Sequence, residues 1–434
     1  MAVARVWSAV VLAVGLTLSA GATPREFIFG RGGDTPPPAA GVVHPGTTWD
    51  VARGYGLEPD FTVAETDSSL GGTTPFYFTV AVPAEGNYRV TITLGDAEAA
   101  TSTTVKAELR RLMVDRVDTV PGEFVRRTFI VNVRSPRIAA APGVETGRVN
   151  LKAPRETTQE SWAWDDAITL EFNGSAPHVH GIAIEPAPEL TTIFLLGDST
   201  VCDQSREPFT SWGQMLTRFF APTLAVANHA ESGETYRDSI GRRRLDKVIS
   251  VMRPGDYLFM QFGHNDQKQI AAGTGGPFTT YAEELRTHIT AVRRVGGIPV
   301  VVTPMERRGF EADGSVTPSL ADYAAAARQV AAEEDVALID LNAVSRTLYA
   351  ALGEEVSASA FAAPEGRQDN THHDNYGAWL IAACVVDELR SAGPAVAIHL
   401  REDLAPFDPA HPPSAAAVFV PPSPLVTAQR PLGN

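Results

Sequence analysis

The chain has 434 residues, with 36 basic and 51 acidic side chains and therefore a formal net charge of −15. This negative charge argues against nucleic acid as a partner, because proteins that bind nucleic acid need a basic surface. Hydrophobic residues make up 44% and charged residues 20%, which is ordinary for a globular chain long enough to form two domains. The two cysteines, Cys202 and Cys384, cannot build a disulfide framework, and whether they pair stays open.

The first 22 residues have the pattern of a secretory signal peptide. Arg5 supplies the positive charge, and residues 6–18 form an apolar run that is too short to span a bilayer. Residues 20–22, Ala-Gly-Ala, then provide the small residues of a cleavage site. An uncleaved membrane anchor is the alternative. We expect residues 1–22 to be removed and the mature protein to be secreted or periplasmic, without membrane contact.

Residues 24–188 alternate short apolar runs with turn residues, which is typical of an all-β sandwich. The strand candidates are Phe76–Val82, Tyr88–Leu94, Thr128–Val133, Ile168–Phe172 and Val179–Ile184. The last two are separated by Asn173-Gly174, a dipeptide that predicts a tight turn between them. Residues 186–188, Pro-Ala-Pro, are interpreted as the linker that ends this domain.

After residue 188 the pattern changes to strands that alternate with helices. The strand candidates are Thr191–Leu196, Leu224–Ala227, Tyr257–Phe262, Ile298–Thr303 and Val336–Leu341. The helix candidates are Ser211–Phe220, Arg243–Met252, Tyr281–Val295, Ser319–Glu333 and, after a long loop, Tyr376–Arg390. This alternation predicts a catalytic domain over residues 189–393, with a parallel sheet covered by helices on both faces. Residues 394–434 are rich in Pro and Ala and predict an extended tail, with enough apolar residues to lie against a domain.

Four polar segments follow strands or precede the last helix, so we expect them to meet at one edge of the sheet. They are residues 197–200, 228–235, 263–266 and 369–372. A serine nucleophile needs a base that takes its proton and a carboxylate that orients this base. Ser199, His372 and Asp369 supply these three groups. The backbone N–H groups of Ser199 and Gly233 and the side-chain amide of Asn265 are candidates for the donors that stabilise an oxyanion.

This arrangement resembles the SGNH (GDSL-type) hydrolases, whose name refers to the Ser, Gly, Asn and His found here as Ser199, Gly233, Asn265 and His372. The resemblance implies a flavodoxin-like three-layer α/β/α catalytic domain. It also implies a serine esterase that forms an acyl-enzyme and needs no cofactor. The Gly-x-Ser-x-Gly motif of standard α/β-hydrolases is absent, because Val201 occupies its last position.

Within this group the chain more closely resembles the rhamnogalacturonan acetylesterases and their bacterial relatives. The similar segments are Gly-Asp-Ser-Thr-Val at 197–201, Phe-Gly-His-Asn-Asp at 262–266 and Asp-x-x-His at 369–372. The β-rich segment with Phe-Ile-Phe-Gly at 27–30 and Gly-Tyr-Gly at 54–56 resembles an N-terminal domain of some members, expected here as a galactose-binding-like sandwich. This resemblance implies that acetylated pectin-type polysaccharide is the substrate and partner, and that acetyl groups are removed from it.

Two positions differ from the pattern of that family. Many members have Gly-Arg-Ser where this chain has Gly233-Glu234-Thr235, and a carboxylate beside an oxyanion donor is unfavourable unless it points away. His373 follows the predicted base at a position where a large apolar residue is expected.

Several polar residues near the predicted site have two interpretations. Asp198 either fixes the turn or acts directly, and His264 either contacts substrate or makes a structural hydrogen bond. Arg307 and Arg308 either bind a galacturonate carboxylate, which arginine can do in a bidentate manner, or pair with local acids such as Glu306. No partner residues have the spacing of a metal site, so no metal is expected.

Two other classes of function remain as alternatives. The first is a carbohydrate-binding or scaffold protein that has the esterase fold without the activity. The second is a lipid or thioester hydrolase of the same superfamily, which would need a deep apolar groove in place of a shallow polar cleft.

Overall fold

The chain forms two large, mainly antiparallel sheets and a small two-stranded sheet, followed by a parallel sheet, in a computed structural model that describes residues 25–31, 40–392 and 394–432. The strands before the parallel sheet are β1 (Arg25–Phe29), β2 (Gly41–Val43), β3 (Tyr55–Leu57), β4 (Ala64–Glu65), β5 (Leu70–Gly71), β6 (Phe76–Ala81), β7 (Gly86–Gly95), β8 (Thr101–Ala107), β9 (Arg111–Thr119), β10 (Phe124–Val133), β11 (Arg137–Ile138), β12 (Gly147–Arg148), β13 (Ala167–Ala176) and β14 (His178–Pro186). The predicted signal peptide, residues 1–22, lies outside the described residues.

The two N-terminal sheets face each other across a shared apolar core. One contains the strand order β10-β7-β14-β1-β2, with β5 also paired to β14, and the other has the order β3-β6-β13-β8-β9. Phe29 and Ile92 of the first sheet and Phe78 and Leu170 of the second are all completely buried in this core. The buried positions of β7 alternate with partly exposed ones, as expected for a strand with one face on the core. The β-sandwich prediction for this region is confirmed.

The predicted tight turn at Asn173-Gly174 is wrong. Both residues lie inside β13, where the pairing with β8 shifts register between Asn173 and Ala176. Gly174 has φ of 133°, and a Cβ atom there would lie 2.3 Å from the carbonyl oxygen of Ser102. The glycine therefore allows a β-bulge, and β13 and β14 belong to different sheets.

The parallel sheet carries the strands on which the predicted site depends. Its strands are β15 (Thr191–Gly197), β16 (Leu224–Asn228), β17 (Tyr257–Gln261), β18 (Ile298–Val302) and β19 (Ala337–Ile339). Their spatial order is β16-β15-β17-β18-β19, which is the flavodoxin-like order 2-1-3-4-5. Ile193 and Leu195 of β15 face one core, and Phe194 and Leu196 face the other. The α/β prediction is confirmed, and the order of the strands reverses between β15 and β17, where such sheets bind ligands.

Helices cover both faces of this sheet. They are α1 (Trp212–Leu216), α2 (Tyr236–Gly241), α3 (Arg244–Val251), α4 (Gln267–Ala271), α5 (Ala282–Arg294), α6 (Ala321–Glu333), α7 (Leu341–Ser357), α8 (Asn375–Ala392) and α9 (Pro394–Ala397). Helix α7 occupies part of the segment that was predicted to be a long loop, and Asp340 caps it by accepting a hydrogen bond from the backbone N–H of Ala343. None of the helices in the described ranges combines the length and apolarity that a membrane crossing requires.

Side chains of the N-terminal region complete the cores on both faces of the parallel sheet. Leu112 packs in the core formed with α1 and α8, whereas Leu109 and Trp164 pack in the core formed with α3 and α5. Arg111 Nε also donates to Asp203 Oδ2 at 2.8 Å, and both side chains are buried. The region after residue 188 therefore shares its cores with the sandwich.

The C-terminal tail lies against both regions. Lys106 Nζ of β8 donates to the carbonyl oxygen of Pro421 at 2.7 Å. The backbone N–H of Glu207 donates to Leu425 O, and the N–H of Thr427 donates to Glu207 O, both at 2.8 Å. The segment around residue 425 is thus held beside the loop that follows Ser199.

Both cysteines, Cys202 and Cys384, are free and buried.

Candidate active site

Ser199 lies directly after β15, at the carboxyl edge of the parallel sheet. Gly197 ends this strand, and a Cβ atom there would lie 2.5 Å from Val201 Cγ2 and 2.6 Å from Gln261 O. Only glycine fits such a close approach. Asp198 Oδ1 then accepts hydrogen bonds from the N–H and the hydroxyl of Thr200, at 2.9 and 2.7 Å. These contacts fix the turn that presents the Ser199 hydroxyl, as one interpretation of Asp198 expected.

Three predicted residues from distant parts of the chain form a continuous hydrogen-bonded row. The Ser199 hydroxyl and His372 Nε2 are 2.7 Å apart, and His372 Nδ1 and Asp369 Oδ2 are 3.1 Å apart. With the proton on Nδ1, His372 donates to Asp369, and Nε2 is the acceptor for the serine proton. Ser199, His372 and Asp369 are only 3%, 2% and 1% exposed as whole residues, respectively. This is the order that a nucleophile, its base and an orienting carboxylate require.

Asp369 is held in its charged form. Burial by itself raises the pKa of this carboxyl. The hydrogen bond and charge of His372, together with the backbone N–H groups of His372 and Thr371, outweigh burial and lower the pKa to about 2. Both N–H groups donate to Asp369 Oδ1, at 3.0 and 2.7 Å. An ionised acceptor therefore faces Nδ1 of His372 across the neutral pH range.

The predicted oxyanion donors have hydrogen-bonding capacity left. Among the described residues, the backbone N–H groups of Ser199 and Gly233 donate to no acceptor. Gly233 has φ of 75°, a left-handed conformation that glycine adopts without strain. Asn265 Nδ2 donates to Glu234 O at 3.1 Å, and its Oδ1 accepts from Lys268 Nζ at 3.3 Å. The amide is therefore oriented at both ends and keeps a second N–H for a ligand.

The carboxylate of Glu234, next to Gly233, is held by cations. It is completely buried, and Lys152 Nζ lies 2.7 Å from Glu234 Oε1. Arg244 Nε lies 3.6 Å from Oε2. These ion pairs offset the negative charge of Glu234. Glu234 is the position at which many rhamnogalacturonan acetylesterases have arginine.

His264 is paired with Asp198 beneath the serine. His264 Nδ1 lies 3.2 Å from Asp198 Oδ2, and both side chains are buried. Burial lowers the pKa of His264 below its ordinary value, although the charge of Asp198 opposes this shift. Its Nε2 has no hydrogen-bond partner among the described residues. The structural hydrogen bond is thus present, and Nε2 leaves one polar atom for a ligand.

His373 makes different contacts from its neighbour His372. The His373 ring lies 4.4 Å from that of Phe361, and its Nε2 is 2.9 Å from the hydroxyl of Tyr349. Burial lowers the pKa of His373 to about 3. His373 therefore fills the position of the expected apolar residue as a neutral ring that packs against Phe361 at an angle of 34°. Within the described residues, no cluster of three or more His, Cys, Asp or Glu side chains could hold a metal ion.

Arg307 and Arg308 make their hydrogen bonds with protein groups around the site. Arg307 Nη1 donates to Thr371 Oγ1 at 2.6 Å, and its Nη2 donates to His264 O at 3.0 Å. Arg308 Nη1 donates to Asn370 Oδ1 at 3.1 Å. Neither guanidinium makes an ion pair with an acid of the described ranges. That either one binds a substrate carboxylate stays a prediction.

Sequence reasoning did not include Arg430, which lies beside the carboxylate of the row. Its Nε is 3.6 Å from Asp369 Oδ2, and its Nη2 donates to Gln368 O at 3.1 Å. Arg430 belongs to the Pro-rich tail, which has no motif of its own. The one available signal was the cluster of apolar residues in the tail, which indicated contact with a domain.

Comparisons with known proteins show which family and which relatives this chain resembles. Residues 195–400 match the GDSL-like lipase/acylhydrolase family. The rhamnogalacturonan acetylesterase RhgT of Bacillus subtilis is 36% identical over 219 residues, which are 48% of this chain and 93% of that protein. The uncharacterized esterase YxiM of Bacillus subtilis is 26% identical over 412 residues, or 89% of this chain and 98% of that protein. The crystal structure of YxiM is 23% identical and covers 86% of this chain and 99% of YxiM, with a TM-score of 0.46.

Proposed function

This chain belongs to the GDSL-like lipase/acylhydrolase family and is an esterase, and we propose that it removes acetyl groups from an acetylated pectin-type polysaccharide. The row from Ser199 through His372 to Asp369 is the observation that carries this proposal, because it joins a nucleophile, a base and an ionised carboxylate. The proposed catalytic residues are therefore these three, with Ser199, Gly233 and Asn265 as oxyanion donors.

In the first half of the reaction, the Ser199 hydroxyl attacks the carbonyl carbon of the acetyl ester. His372 Nε2 takes the serine proton while Asp369 stabilises the imidazolium that forms. The carbonyl oxygen becomes an oxyanion, and the N–H groups of Ser199 and Gly233 and the amide of Asn265 donate to it. His372 then gives its proton to the sugar oxygen, the ester bond breaks, and an acetyl group stays on Ser199.

In the second half, a water molecule takes the place of the released sugar hydroxyl. His372 removes a proton from this water, which attacks the acetyl carbonyl on Ser199. The same donors stabilise the second oxyanion. Its collapse returns the proton to Ser199 and releases acetate, so the enzyme returns to its initial state. Every proton in this cycle passes through one histidine, and the proposal includes no cofactor.

The polysaccharide substrate is proposed from similarity and from local charge. RhgT, with 36% identity over its aligned residues, is named as a rhamnogalacturonan acetylesterase. The expected substrate contains galacturonate, an anion that a chain of charge −15 repels at long range. Local cations must therefore offset this repulsion. Arg307 and Arg308 are the proposed substrate-binding cations on the side of the site formed by β17 and β18. His264 is the third proposed substrate-binding residue, through Nε2, which has no hydrogen-bond partner among the described residues.

We also propose that the mature protein is exported and that residues 24–188 and 189–393 act as a sandwich domain and a catalytic domain. Export rests on the signal-peptide pattern of residues 1–22. An exported enzyme would meet an extracellular polysaccharide directly.

Acetate release tests the proposed substrate. The purified enzyme is incubated with acetylated rhamnogalacturonan, acetylated homogalacturonan, acetylxylan and a long-chain acyl ester at equal ester concentration. We expect the highest kcat/KM on an acetylated galacturonate-containing polymer. A preference for acetylxylan or for the long-chain ester would contradict the substrate while leaving the esterase chemistry in place.

A further inference from the structure

A pocket next to the candidate active site is built from three separate segments of the chain. We call it the tail pocket, because residues 427–432 of the C-terminal tail form one of its walls. Residues 152–159 of the N-terminal region and residues 204–209 after the candidate nucleophile form the others. Its volume is about 190 Å³, which is below the roughly 300–1,000 Å³ of sites that enclose a drug-sized ligand. The tail pocket is therefore suited to one sugar unit of a longer chain.

The tail pocket adjoins all three residues of the hydrogen-bonded row. Gln204 lines the pocket, and its Nε2 donates to the carbonyl oxygen of Ser199 at 2.8 Å. Phe209 also lines it, and its ring centroid lies 5.8 Å from that of His372 in an edge-on contact. On the tail side, Arg430 Nε lies 3.6 Å from the orienting carboxylate. A sugar in this pocket would thus be next to a sugar whose acetyl group reaches Ser199.

The lining of the tail pocket is cationic. It contains Lys152, Arg155, Arg206 and Arg430 and no Asp or Glu, although acids outnumber bases in the chain by 51 to 36. Two of these cations already form ion pairs with buried carboxylates of the protein. Lys152 pairs with buried Glu234, and Arg155 pairs with buried acids of the same layer.

The other two cations have capacity for a ligand. Arg206 is exposed, and its only hydrogen bond within the described ranges is a 3.5 Å contact of Nη1 with Val426 O. Arg430 pairs with Asp369 through Nε, at 3.6 Å, but its side chain is 49% exposed and its Nη1 has no hydrogen bond within the same ranges. Arg307 and Arg308, by comparison, already donate to side chains and carbonyl groups of the protein. An anion would therefore meet the more available guanidinium groups in the tail pocket.

We propose that the tail pocket is a subsite for a uronate sugar, whose carboxylate is bound by Arg206 and Arg430. This inference rests on the proposed function for the identity of the polymer. It assigns the recognition of acid to the loop after Ser199 and to the C-terminal tail, and the tail residues lie outside residues 195–400, the segment that matches the family. A planar guanidinium suits a carboxylate because two parallel N–H groups can donate to its two oxygens.

A binding measurement tests the subsite without depending on hydrolysis. The full chain with Ser199→Ala is titrated with trigalacturonate at low ionic strength, and xylotriose is the neutral probe. Adding Arg206→Ala or Arg430→Ala is expected to weaken trigalacturonate binding about tenfold, the effect of losing one charge-assisted hydrogen-bonded pair. Arg206→Lys is expected to restore part of the affinity, because it keeps the charge without the planar fork. Raising the salt concentration should reduce the difference between the parent and both alanine variants.

Arg126→Ala is the matched control. Arg126 is an exposed arginine of β10 that does not line the tail pocket, and its loss should leave trigalacturonate binding unchanged. Equal trigalacturonate affinity in the parent and in both arginine-to-alanine variants would overturn the subsite. The absence of any trigalacturonate binding by the parent would overturn it as well. An equal loss of trigalacturonate and xylotriose affinity would also overturn it, because the arginines would then act on shape alone.

Acetate release by the chain with Ser199 intact separates this inference from the proposed function. Release from acetylated pectin that is insensitive to Arg206→Ala and Arg430→Ala contradicts only the subsite. Trigalacturonate binding without acetate release from any pectin contradicts the proposed substrate and leaves the binding site in place.

Discussion

The carboxyl edge of the parallel sheet and the outer face of the sandwich both bury polar groups, but they pair them differently. On β8 and β9 of the sandwich, Lys106 donates to Pro421 O and Ser423 Oγ, and Arg111 donates to Asp203 and to Asn132 O. At the edge of the parallel sheet, by contrast, the N–H groups next to the nucleophile have no acceptor among the described residues. The buried side chains of the sandwich, whose hydrogen bonds are satisfied, hold two regions together. The N–H groups beside the nucleophile can instead donate to a reacting group.

The largest effect is expected on catalysis, from substitutions at the carboxyl edge of the parallel sheet. Ser199→Ala and His372→Ala should each lower kcat on a small acetyl ester by roughly 10⁴-fold or more, because the nucleophile and its base act as one unit. The double variant should be little worse than either single one. Steady-state kinetics with matched thermal unfolding would measure this. Activity losses that multiply in the double variant would contradict a shared role.

Breaking a buried ion pair of the sandwich should change stability instead of catalysis. Arg111→Ala removes the cation that lies 2.8 Å from the buried carboxylate of Asp203 and leaves Arg134 at 3.7 Å. We therefore expect a loss of about 3 kcal/mol in the free energy of unfolding, at the lower end for a broken buried ion pair. Arg116→Ala on the same strand is the matched control. Arg116 pairs with Asp118 at the surface, so its loss should cost less than about 1 kcal/mol. Equal losses in urea unfolding would show that burial does not distinguish the two pairs.

Removing one oxyanion donor should slow the reaction with little change in stability. Asn265→Ala should lower kcat by roughly 10²–10³-fold, the usual effect of one lost oxyanion donor. KM should change much less, since the oxyanion exists only along the reaction path. A raised KM with unchanged kcat would instead identify Asn265 as a contact of the bound substrate.

The smallest effect at neutral pH is expected for His373, which is buried beside the row as a neutral ring. Its pKa is lowered from 6.5 to about 3. Above pH 6.5 the residue is neutral in both the folded and the unfolded chain, so it adds no pH dependence. As the pH falls from 6.5 towards 3, only the unfolded chain takes up this proton, and stability falls by about 1.4 kcal/mol per pH unit.

His373→Phe should remove this pH dependence of the free energy of unfolding. It also removes the hydrogen bond between His373 and the Tyr349 hydroxyl. The variant should therefore be less stable than the parent at pH 7, and the gap should narrow at pH 5. Urea unfolding at both values measures the gap. A gap that stays constant with pH would mean that His373 takes up its proton in the folded state too.

The strands of the parallel sheet and the residues at their ends could be predicted because their signals are local. Four apolar residues before Gly197 indicate a buried strand, and polar residues after successive parallel strands must meet at one edge. The helix Leu341–Ser357 was missed because its pattern contains Ser, Thr and Gly, and Gly353 has a non-helical φ of 70°. The Asn173-Gly174 signal is the same in a bulge and in a turn, so only the pairing with β8 distinguishes them.

The tail could not be placed from sequence because its contacts join residues that are far apart in the chain. Arg430 reaches Asp369, 61 positions earlier, through a segment that has no periodic pattern. Lys106 is likewise buried because Pro421 and Ser423 lie against it. A lysine in a strand gives no sign of such burial, since lysine is almost never fully buried unless it is paired.

Trapping the acetyl-enzyme tests the account most directly. The enzyme is mixed with a small acetyl ester, quenched in acid during turnover, digested and analysed by mass spectrometry. We predict one added acetyl group on the peptide that contains Ser199, and none on that peptide in the Ser199→Ala variant. An acetyl group on a different residue, together with turnover by Ser199→Ala, would contradict the assignment of Ser199 as the nucleophile.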